Sequence, residues 1–211
     1  MTRTQTSARD RVLQTAAALF AERGFHGTSV RDIADACGMR PSSLYNHVSD
    51  KNDMLLHIVG RYLDALDRVL PDEAGGPGDG GTRLAAMIRA SLGVAGMYPD
   101  EFLTLSNSWT YIRRTPELTA VVARRDAGRA LWADVLAAGI ADGSLRGGLD
   151  PGEVLRVVFS ALHGSLDRRF DAPDASAAPS AEAGTDTASA ASPSGAETLV
   201  TLLLDGLRPR G

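Results

Sequence analysis

The chain has 211 residues, 44% of them hydrophobic and 23% charged, a balance typical of a globular protein with a substantial core. Its single cysteine, Cys37, excludes an internal disulfide, and no apolar run approaches the roughly 18 residues of a membrane span. No charged start leads into an apolar export segment. We therefore expect a cytoplasmic protein. The net charge of −4 is uneven, since residues 1–51 carry +2 and the remainder −6, which predicts a mildly basic head on an acidic body.

Apolar residues recur three and four positions apart along nearly the whole chain, and no segment shows a convincing two-residue alternation. This period predicts an all-α fold of about nine helices. The apolar stripe of the first helix ends at Phe20, and Gly24 is suited to the left-handed cap position after it.

A helix-turn-helix pattern follows in residues 28–51. Thr28 or Ser29 can cap a short helix, and Gly38 supplies a turn that a side chain would obstruct. Pro41 suits the first turn of a second helix, where its missing N–H is no loss. We expect this second helix to contain about six or seven residues.

The second helix turns an unusual set of side chains outward. Leu44 and Val48 fall on its inner face. The outward residues are small polar or aromatic ones: Ser42, Ser43, Tyr45, Asn46 and His47. Solubility explains such a set poorly, because Glu and Lys serve it better, whereas the major groove of DNA explains it well.

Each outward side chain has a role that a DNA groove would give it. The serines and Asn46 can hydrogen-bond base edges, while Tyr45, His47 and the following Lys51 can reach phosphate oxygens. Taken singly, Tyr45 could instead be a half-buried structural tyrosine and His47 a helix-end histidine. Their joint spacing favours DNA.

Longer helices account for most of the remaining chain. Ser49 or Asp50 can cap a helix that Pro71 and the glycine-rich residues after it should end. Further helical patterns cover about 82–97, 99–113, 116–142, 152–170 and 196–208. Residues 171–196 contain no large apolar side chain, so we predict a flexible loop there.

Most aromatic residues of the body fall on helical faces that point inward, with a few polar groups among them. An effector pocket with this mixed lining would use Met87, Phe102, Leu105, Ser106, Trp109, Trp132, Phe159 and His163. A plain helical core is the simpler explanation of any one of these residues.

The last two helices are apolar nearly all round, so each needs burial on two sides. We therefore predict that they pack against their copies in a symmetric four-helix bundle. The dimer residues expected from this pattern are Leu155, Val158, Leu162, Leu166, Leu199, Leu203 and Leu207.

Motifs for catalysis or metal binding are missing from the sequence. There is no glycine-rich phosphate loop, paired-histidine helix or GxSxG elbow. The four histidines lack metal-ligand spacing, and Cys37 is most simply a small core residue. We expect neither an enzyme nor a bound metal or cofactor.

Residues 16–55 resemble the DNA-binding domain of the TetR family of transcriptional regulators. The segments LFAERGF, TSVRDIA and SSLYNHV, followed by Lys51, match the family's pattern in order and spacing. The resemblance implies a helix-turn-helix domain at 1–48 and a ligand-binding and dimerisation domain at 49–211. It also implies a homodimer that binds a near-palindromic operator in double-stranded DNA and leaves it when a small molecule enters the second domain.

The resemblance further implies roles for single residues. Phosphate contacts would be made by Thr28 or Ser29, Tyr45, His47 and Lys51. Positions facing the bases would be Arg31, Arg40, Pro41, Ser42, Ser43 and Asn46.

The body is similar in layout to family members that sense acyl-CoA or breakdown products of steroids and fatty acids. The residues in this layout are Arg125, Asp126, Gly143, Leu145, Arg146, Asp150 and Pro151. The similarity implies a small apolar effector such as an acyl-CoA or another lipid. The arginines at 113, 114, 124 and 125 could neutralise its phosphates or form a solvated face. The alternative is a helix-turn-helix protein, structural or a constitutive repressor, that has no ligand response.

Overall fold

The computed structural model of the chain describes residues 7–165 and 193–209. Within these ranges the regular secondary structure is entirely helical, as the apolar period predicted. The α-helices are α1 (Ala8–Arg23), α2 (Val30–Ala36), α3 (Pro41–Leu44), α4 (Lys51–Ala74), α5 (Gly80–Met97), α6 (Pro99–Ile112), α7 (Thr119–Ala141), α8 (Pro151–Gly164) and α9 (Pro193–Leu207). A short 3₁₀ helix, Pro116–Leu118, precedes α7.

The helices belong to two compact units. The first unit comprises Met1–Asp67 and Tyr98–Gly128, and the second comprises Arg68–Met97 and Arg129–Gly211. The helix-turn-helix lies in the first unit, and α8 and α9 lie in the second. The domain boundary expected after residue 48 stays a prediction.

In the first unit, α1 packs against α6. Phe20 and the rest of the apolar stripe of α1 are buried. Two polar side chains of α6 bond the α1 backbone: Thr104 Oγ1 donates to the Ala17 carbonyl at 3.3 Å, and Asn107 Nδ2 donates to the Ala21 carbonyl at 3.4 Å. Helix α1, which also packs against α2 of the helix-turn-helix, is thereby tied to α6.

The ends of α1 and α2 follow the expected chemistry. Ser29 is the N-cap of α2, since its Oγ accepts from the Asp32 N–H at 3.1 Å and the Asp32 carboxylate accepts from the Ser29 N–H at 2.7 Å. Gly38, in the turn, has a φ of 67° that favours glycine. Gly24 also has a positive φ of 77°, but its ψ of 161° lies outside the left-handed helical region.

Helix α4 begins as expected and ends later. The Asp50 carboxylate accepts from the Asp53 N–H at 2.8 Å and so caps the first turn. The prediction that Pro71 ends the helix was wrong, because α4 continues to Ala74. Pro71 is exposed and its carbonyl still accepts from the Gly75 N–H at 3.0 Å, so the proline removes one donor on the solvent side only.

In the second unit, α5 packs against α8 and α9, and it crosses α7 at close range. A Cβ at Gly80 would lie 2.2 Å from the Cα of Gly139, so this crossing requires glycine. The Asp142 carboxylate, just after α7, accepts from the Gly80 N–H at 2.7 Å. Glycine and a capping carboxylate together fix the start of α5.

Helix α9 begins at Pro193, three residues before the expected start. The last four residues of the loop predicted at 171–196 are therefore helical, and the rest of that prediction lies outside the described residues. Among the helices of the described ranges, none is long and apolar enough to cross a membrane.

Candidate nucleic-acid interface and effector residues

The recognition segment, residues 41–47, consists of α3 and the turn after it. Only four residues form α3, fewer than the six or seven expected. The turn continues the helical direction, because the N–H of His47 bonds the Leu44 carbonyl at 2.9 Å. Leu44 and Val48 are buried, as predicted, and they hold the segment's inner face against the first unit.

The outer face of the recognition segment is polar and open. Its exposed residues are Pro41, Ser42, Tyr45 and Asn46, and its half-buried ones are Ser43 and His47. Tyr45 is a large side chain with 54% of its surface exposed. The six residues predicted to contact DNA within this segment are therefore all at least partly exposed.

Further candidate residues flank the segment. Ser29, Arg31 and Arg40 are exposed. Arg31 lies 3.8 Å from the carboxylate of Asp35, an exposed pair that costs little to open. Hydrogen bonds from Ser29 hold the pKa of the Asp32 carboxyl below its ordinary value, so Asp32 stays ionised and keeps Ser29 in its capping position.

Two predicted phosphate contacts are placed differently. Thr28 is 1% exposed, and its hydroxyl donates to the carbonyls of Leu19 and Gly24 at 3.2 and 3.0 Å, so it is not available to a phosphate. The ammonium group of Lys51 donates to the Phe25 carbonyl and lies 4.0 Å from the centre of the Phe25 ring. Partial burial lowers the pKa of Lys51. Thr28 is therefore bonded inside the first unit, while Lys51 is half-buried and stays a predicted phosphate contact.

Tyr111, on α6, was not among the predicted site residues. Its ring stacks on Phe25 with centroids 4.7 Å apart and meets His26 edge-on at 5.0 Å. Its hydroxyl donates to Asn52 Oδ1, at the start of α4, at 2.8 Å. In the sequence, the only sign of this role was an aromatic residue in the last turn of α6, next to polar residues.

Four of the predicted effector residues lie on α6 in the first unit. Leu105 is buried, while Phe102, Ser106 and Trp109 are half-buried. The Trp109 ring has the guanidinium carbon of Arg125 at 3.7 Å from its centre. An indole and a guanidinium therefore meet on this part of the first unit.

The other four predicted effector residues lie in the second unit. Met87 and Trp132 are buried, while Phe159 and His163 are half-buried. Trp132 and Phe159 meet edge-to-face at 5.3 Å. That all eight residues line one pocket stays a prediction. The described ranges also contain no group of three His, Cys, Asp or Glu side chains that could hold a metal ion.

The predicted dimer residues are mostly occupied within one chain. Leu155, Val158, Leu162 and Leu207 are buried, Leu199 and Leu203 are half-buried, and Leu166 lies outside the described residues. The exposed apolar side chains of α8 and α9 are Val157 and Leu202, at 57% and 68%. Helix α5 packs against both helices, and three of the predicted residues, Val158, Leu203 and Leu207, line a groove together with Val157 and Leu202. Which of these residues form a dimer contact stays a prediction.

Val157 and Leu202 line a groove of about 540 Å³ between α8 and α9. Its other lining residues include Val154, Leu203 and Gly206, and Arg146, Asp150 and Glu153 add charge. The Nε of Arg146 is buried, with no hydrogen-bond acceptor among the described residues. We call this surface the α8–α9 groove.

The four arginines suggested for an effector's phosphates differ in their surroundings. Arg124 donates to Asp64 at 2.8 Å and to Asp67 at 2.6 Å, so its charge is already matched. Arg113 and Arg114 are exposed, and Arg125 lies on Trp109. Arg125 is the one of the four that the structure brings to a predicted effector residue.

Known proteins share this sequence pattern and fold. Residues 12–58 match the family described as "Bacterial regulatory proteins, tetR family", and residues 77–167 match "Tetracyclin repressor-like, C-terminal domain". The HTH-type transcriptional repressor KstR2 of Mycolicibacterium smegmatis is 35% identical over 72% of this chain and 74% of its own. The chain therefore belongs to the TetR family of bacterial transcriptional regulators.

Solved structures agree with this assignment. The ketosteroid transcriptional regulator KstR2 of Mycobacterium tuberculosis is 26% identical, covers 97% of this chain and 96% of its own, and superposes with a TM-score of 0.80. AibR, in complex with isovaleryl coenzyme A and operator DNA, shares the fold at 19% identity, with a TM-score of 0.70 over 97% of this chain and all of its own. The chain is thus a DNA-binding regulator by family, and this family is one of regulators rather than enzymes.

Proposed function

We propose that this chain is a transcriptional repressor that binds a palindromic operator as a homodimer and is released by a small apolar effector. The observation that carries the proposal is the open polar face of the recognition segment above a buried Leu44 and Val48. In this role Asn46 and Ser42 would bond base edges, and Tyr45 would bond a phosphate. The cytoplasm is the compartment in which such a protein would meet DNA.

The proposed dimer pairs the α8–α9 groove with its copy. Val157 and Leu202 are apolar and exposed, and a second chain would remove both from water. The groove carries a cation, Arg146, and anions, Asp150 and Glu153. A surface that holds both charges can be complementary to itself across a two-fold axis.

Release of DNA would proceed through α6. Its side chains bond the α1 backbone through Thr104 and Asn107, and Tyr111 joins it to Asn52 and Phe25. Predicted effector residues such as Trp109 lie on the same helix. An effector that favours another position of α6 would therefore displace the helix-turn-helix, provided it binds the DNA-free form more tightly.

We take acyl-CoA thioesters as the effector class. The indole of Trp109 beside the guanidinium of Arg125 offers both an apolar surface and a cation for a phosphate. One relative is a ketosteroid transcriptional regulator, and a protein of the same fold was solved with isovaleryl coenzyme A. The second class to test is a ketosteroid-like lipid.

The experiment begins with selection of bound duplexes from randomised DNA, which should return an inverted repeat. Fluorescence anisotropy then follows release of that duplex by a series of acyl-CoA thioesters, with free coenzyme A and free fatty acids as controls. Release by thioesters alone supports the proposal. Trp109→Ala should weaken the response to the thioester with little effect on DNA affinity. If no thioester or lipid releases the selected repeat, the chain is a constitutive repressor instead.

A further inference from the structure

Arg9, the second residue of α1, bonds the end of the recognition segment. Its Nε donates to the carbonyl oxygen of His47 at 3.0 Å. Its Nη2 lies 2.7 Å from Nε2 of His57, on α4. One half-buried guanidinium thus joins α1, the recognition segment and the part of α4 that belongs to the first unit.

The hydrogen-bonding groups fix which atom of His57 carries the proton. A guanidinium only donates, so Nε2 of His57 must accept. The proton then resides on Nδ1, which lies 2.8 Å from the Asp53 carbonyl and 3.0 Å from the Asp53 carboxylate. The neutral Nδ1–H form of His57 satisfies both neighbours at once.

Asp53 extends this arrangement back to the recognition segment. Its carboxylate accepts from the Ser49 N–H at 3.0 Å. Val48, between the two bonded peptide groups, is buried. The chain is therefore fixed by Arg9 at the carbonyl of His47 and by Asp53 at the N–H of Ser49, directly after the residues that would face DNA.

The short length of α3 makes these bonds important. Its four residues supply few helical hydrogen bonds of their own, so Tyr45 and Asn46 depend on the turn that ends at His47. A base contact loses discrimination when its donor moves by a fraction of a bond length.

We propose that Arg9 and His57 are positioning residues for sequence-specific DNA recognition, acting by holding the His47 carbonyl rather than by touching DNA. The inference rests on the proposed base readout by the recognition segment. It concerns specificity: Arg9 and His57 set the ratio of affinity for the selected repeat to affinity for unrelated DNA.

The test measures that ratio by anisotropy for Arg9→Ala, His57→Leu and His57→Gln, with Arg11→Ala as the matched control. Arg11 is an exposed arginine on the same helix. Arg9→Ala and His57→Leu should each reduce the ratio by about tenfold, the size of one weakened base contact. His57→Gln keeps an amide oxygen as acceptor for Arg9, so it should restore most of the loss.

Three results would overturn the inference. If Arg9→Ala weakens binding to all DNA equally and lowers the salt slope by about one, Arg9 is a phosphate contact. If the variants lower the melting temperature but leave the ratio unchanged in the folded protein, the pair is only structural. If Arg9→Ala and His57→Leu both discriminate the selected repeat from unrelated DNA as well as the parent does, the positioning role is absent. A parent that shows no preference for any repeat would instead overturn the proposed function.

Discussion

Tyr45 and Asn46 are adjacent in the chain and exposed on the same segment, yet DNA should use them differently. A phenol hydroxyl at a phosphate stabilises every complex alike, whereas an amide can bond two atoms of adenine and no equivalent pair on other bases. The two residues therefore offer a sharp comparison at the scale of single side chains.

We expect Asn46→Ala to cost about 1–3 kcal/mol on the selected repeat and nothing on unrelated DNA. Tyr45→Phe removes only the hydroxyl and should weaken binding to both duplexes by a similar factor, because the lost contact is with a phosphate. Anisotropy titrations at several salt concentrations measure both effects. Equal losses on both duplexes for Asn46→Ala would remove it from base readout.

The stability of the fold should depend on pH through the single carboxyl group of Asp142. Hydrogen bonds from the Ser144 side chain and from the N–H groups of Gly80 and Ser144 hold its pKa below the ordinary 3.8. A carboxyl with a lowered folded-state pKa stabilises the fold above its unfolded-state pKa, and this contribution is lost as the pH falls through the folded-state pKa.

Asp142→Ala should therefore lower the melting temperature at neutral pH, and the gap from the parent should close as the pH falls below 3.8. Thermal melts followed by circular dichroism test this, with the exposed Asp134 on α7 as the control for substitution to alanine. A gap that stays constant down to about pH 3 would show that protonation of Asp142 has no effect on stability.

Single residues also show what the sequence alone could reveal. Gly38 and the Ser29 cap were predictable, because their conformations follow from neighbours within four residues. The bond from Lys51 to the Phe25 carbonyl was not predictable, since the two residues are 26 positions apart and no local pattern links them. A still larger separation, of 48 residues, concealed the Arg9–His57 pair.

At the scale of helices, the crossing of α5 and α7 depends on two glycines. A Cβ on Gly80 would meet the Gly139 backbone at 2.2 Å, and a Cβ on Gly139 would meet the Leu145 side chain at 2.6 Å. Backbone cannot move aside as a flexible side chain can. The two positions should therefore differ in their tolerance of alanine.

We expect Gly80→Ala to destabilise the fold by about 1–3 kcal/mol, and Gly139→Ala by less, because the atom nearest its Cβ belongs to the Leu145 side chain and the Gly80 backbone lies farther away, at 3.2 Å. Gly93, also on α5, has no atom within 4 Å of an added Cβ, so Gly93→Ala should stabilise the helix by about 0.5–1 kcal/mol. Urea denaturation measures all three. A neutral Gly80→Ala would mean that the helices are not in close contact there.

The apolar period predicted where several of the helices begin and end, but it did not predict which face of a helix stays exposed. Helices α5, α6 and α7 begin and end within three residues of the expected positions, because their patterns are long and regular. For α8 and α9 the sequence showed that two faces need burial, but not which one α5 takes. That choice depends on α5, which is distant in sequence, and it leaves Val157 and Leu202 exposed beside the predicted dimer residues Val158, Leu203 and Leu207.

In the proposed dimer, operator binding depends on pairing through the α8–α9 groove, since one DNA-binding domain alone meets one half-site. Two heads must reach major grooves about 34 Å apart on one side of the duplex. Val157→Glu with Leu202→Glu would place four carboxylates in the paired grooves, which should give a folded monomer. Met97→Glu alters an equally exposed apolar residue on α5 and should remain a dimer.

Sedimentation velocity and operator titration check this prediction together. The double variant should sediment as a monomer and bind the selected repeat at least tenfold more weakly than the parent, because the two half-sites no longer bind as one unit. A double variant that stays dimeric would place the dimer contact elsewhere. A folded monomer with undiminished affinity would exclude a mechanism that needs two DNA-binding domains on one operator.

The central claim is that two copies of the recognition segment occupy successive major grooves and leave them when an effector binds. A hydroxyl-radical footprint on the selected inverted repeat measures this most directly. We predict two protected patches, related by two-fold symmetry and about 10 base pairs apart, that both fade as an acyl-CoA thioester is added. A single patch, or two patches that persist at saturation with every thioester and lipid tested, would contradict the account.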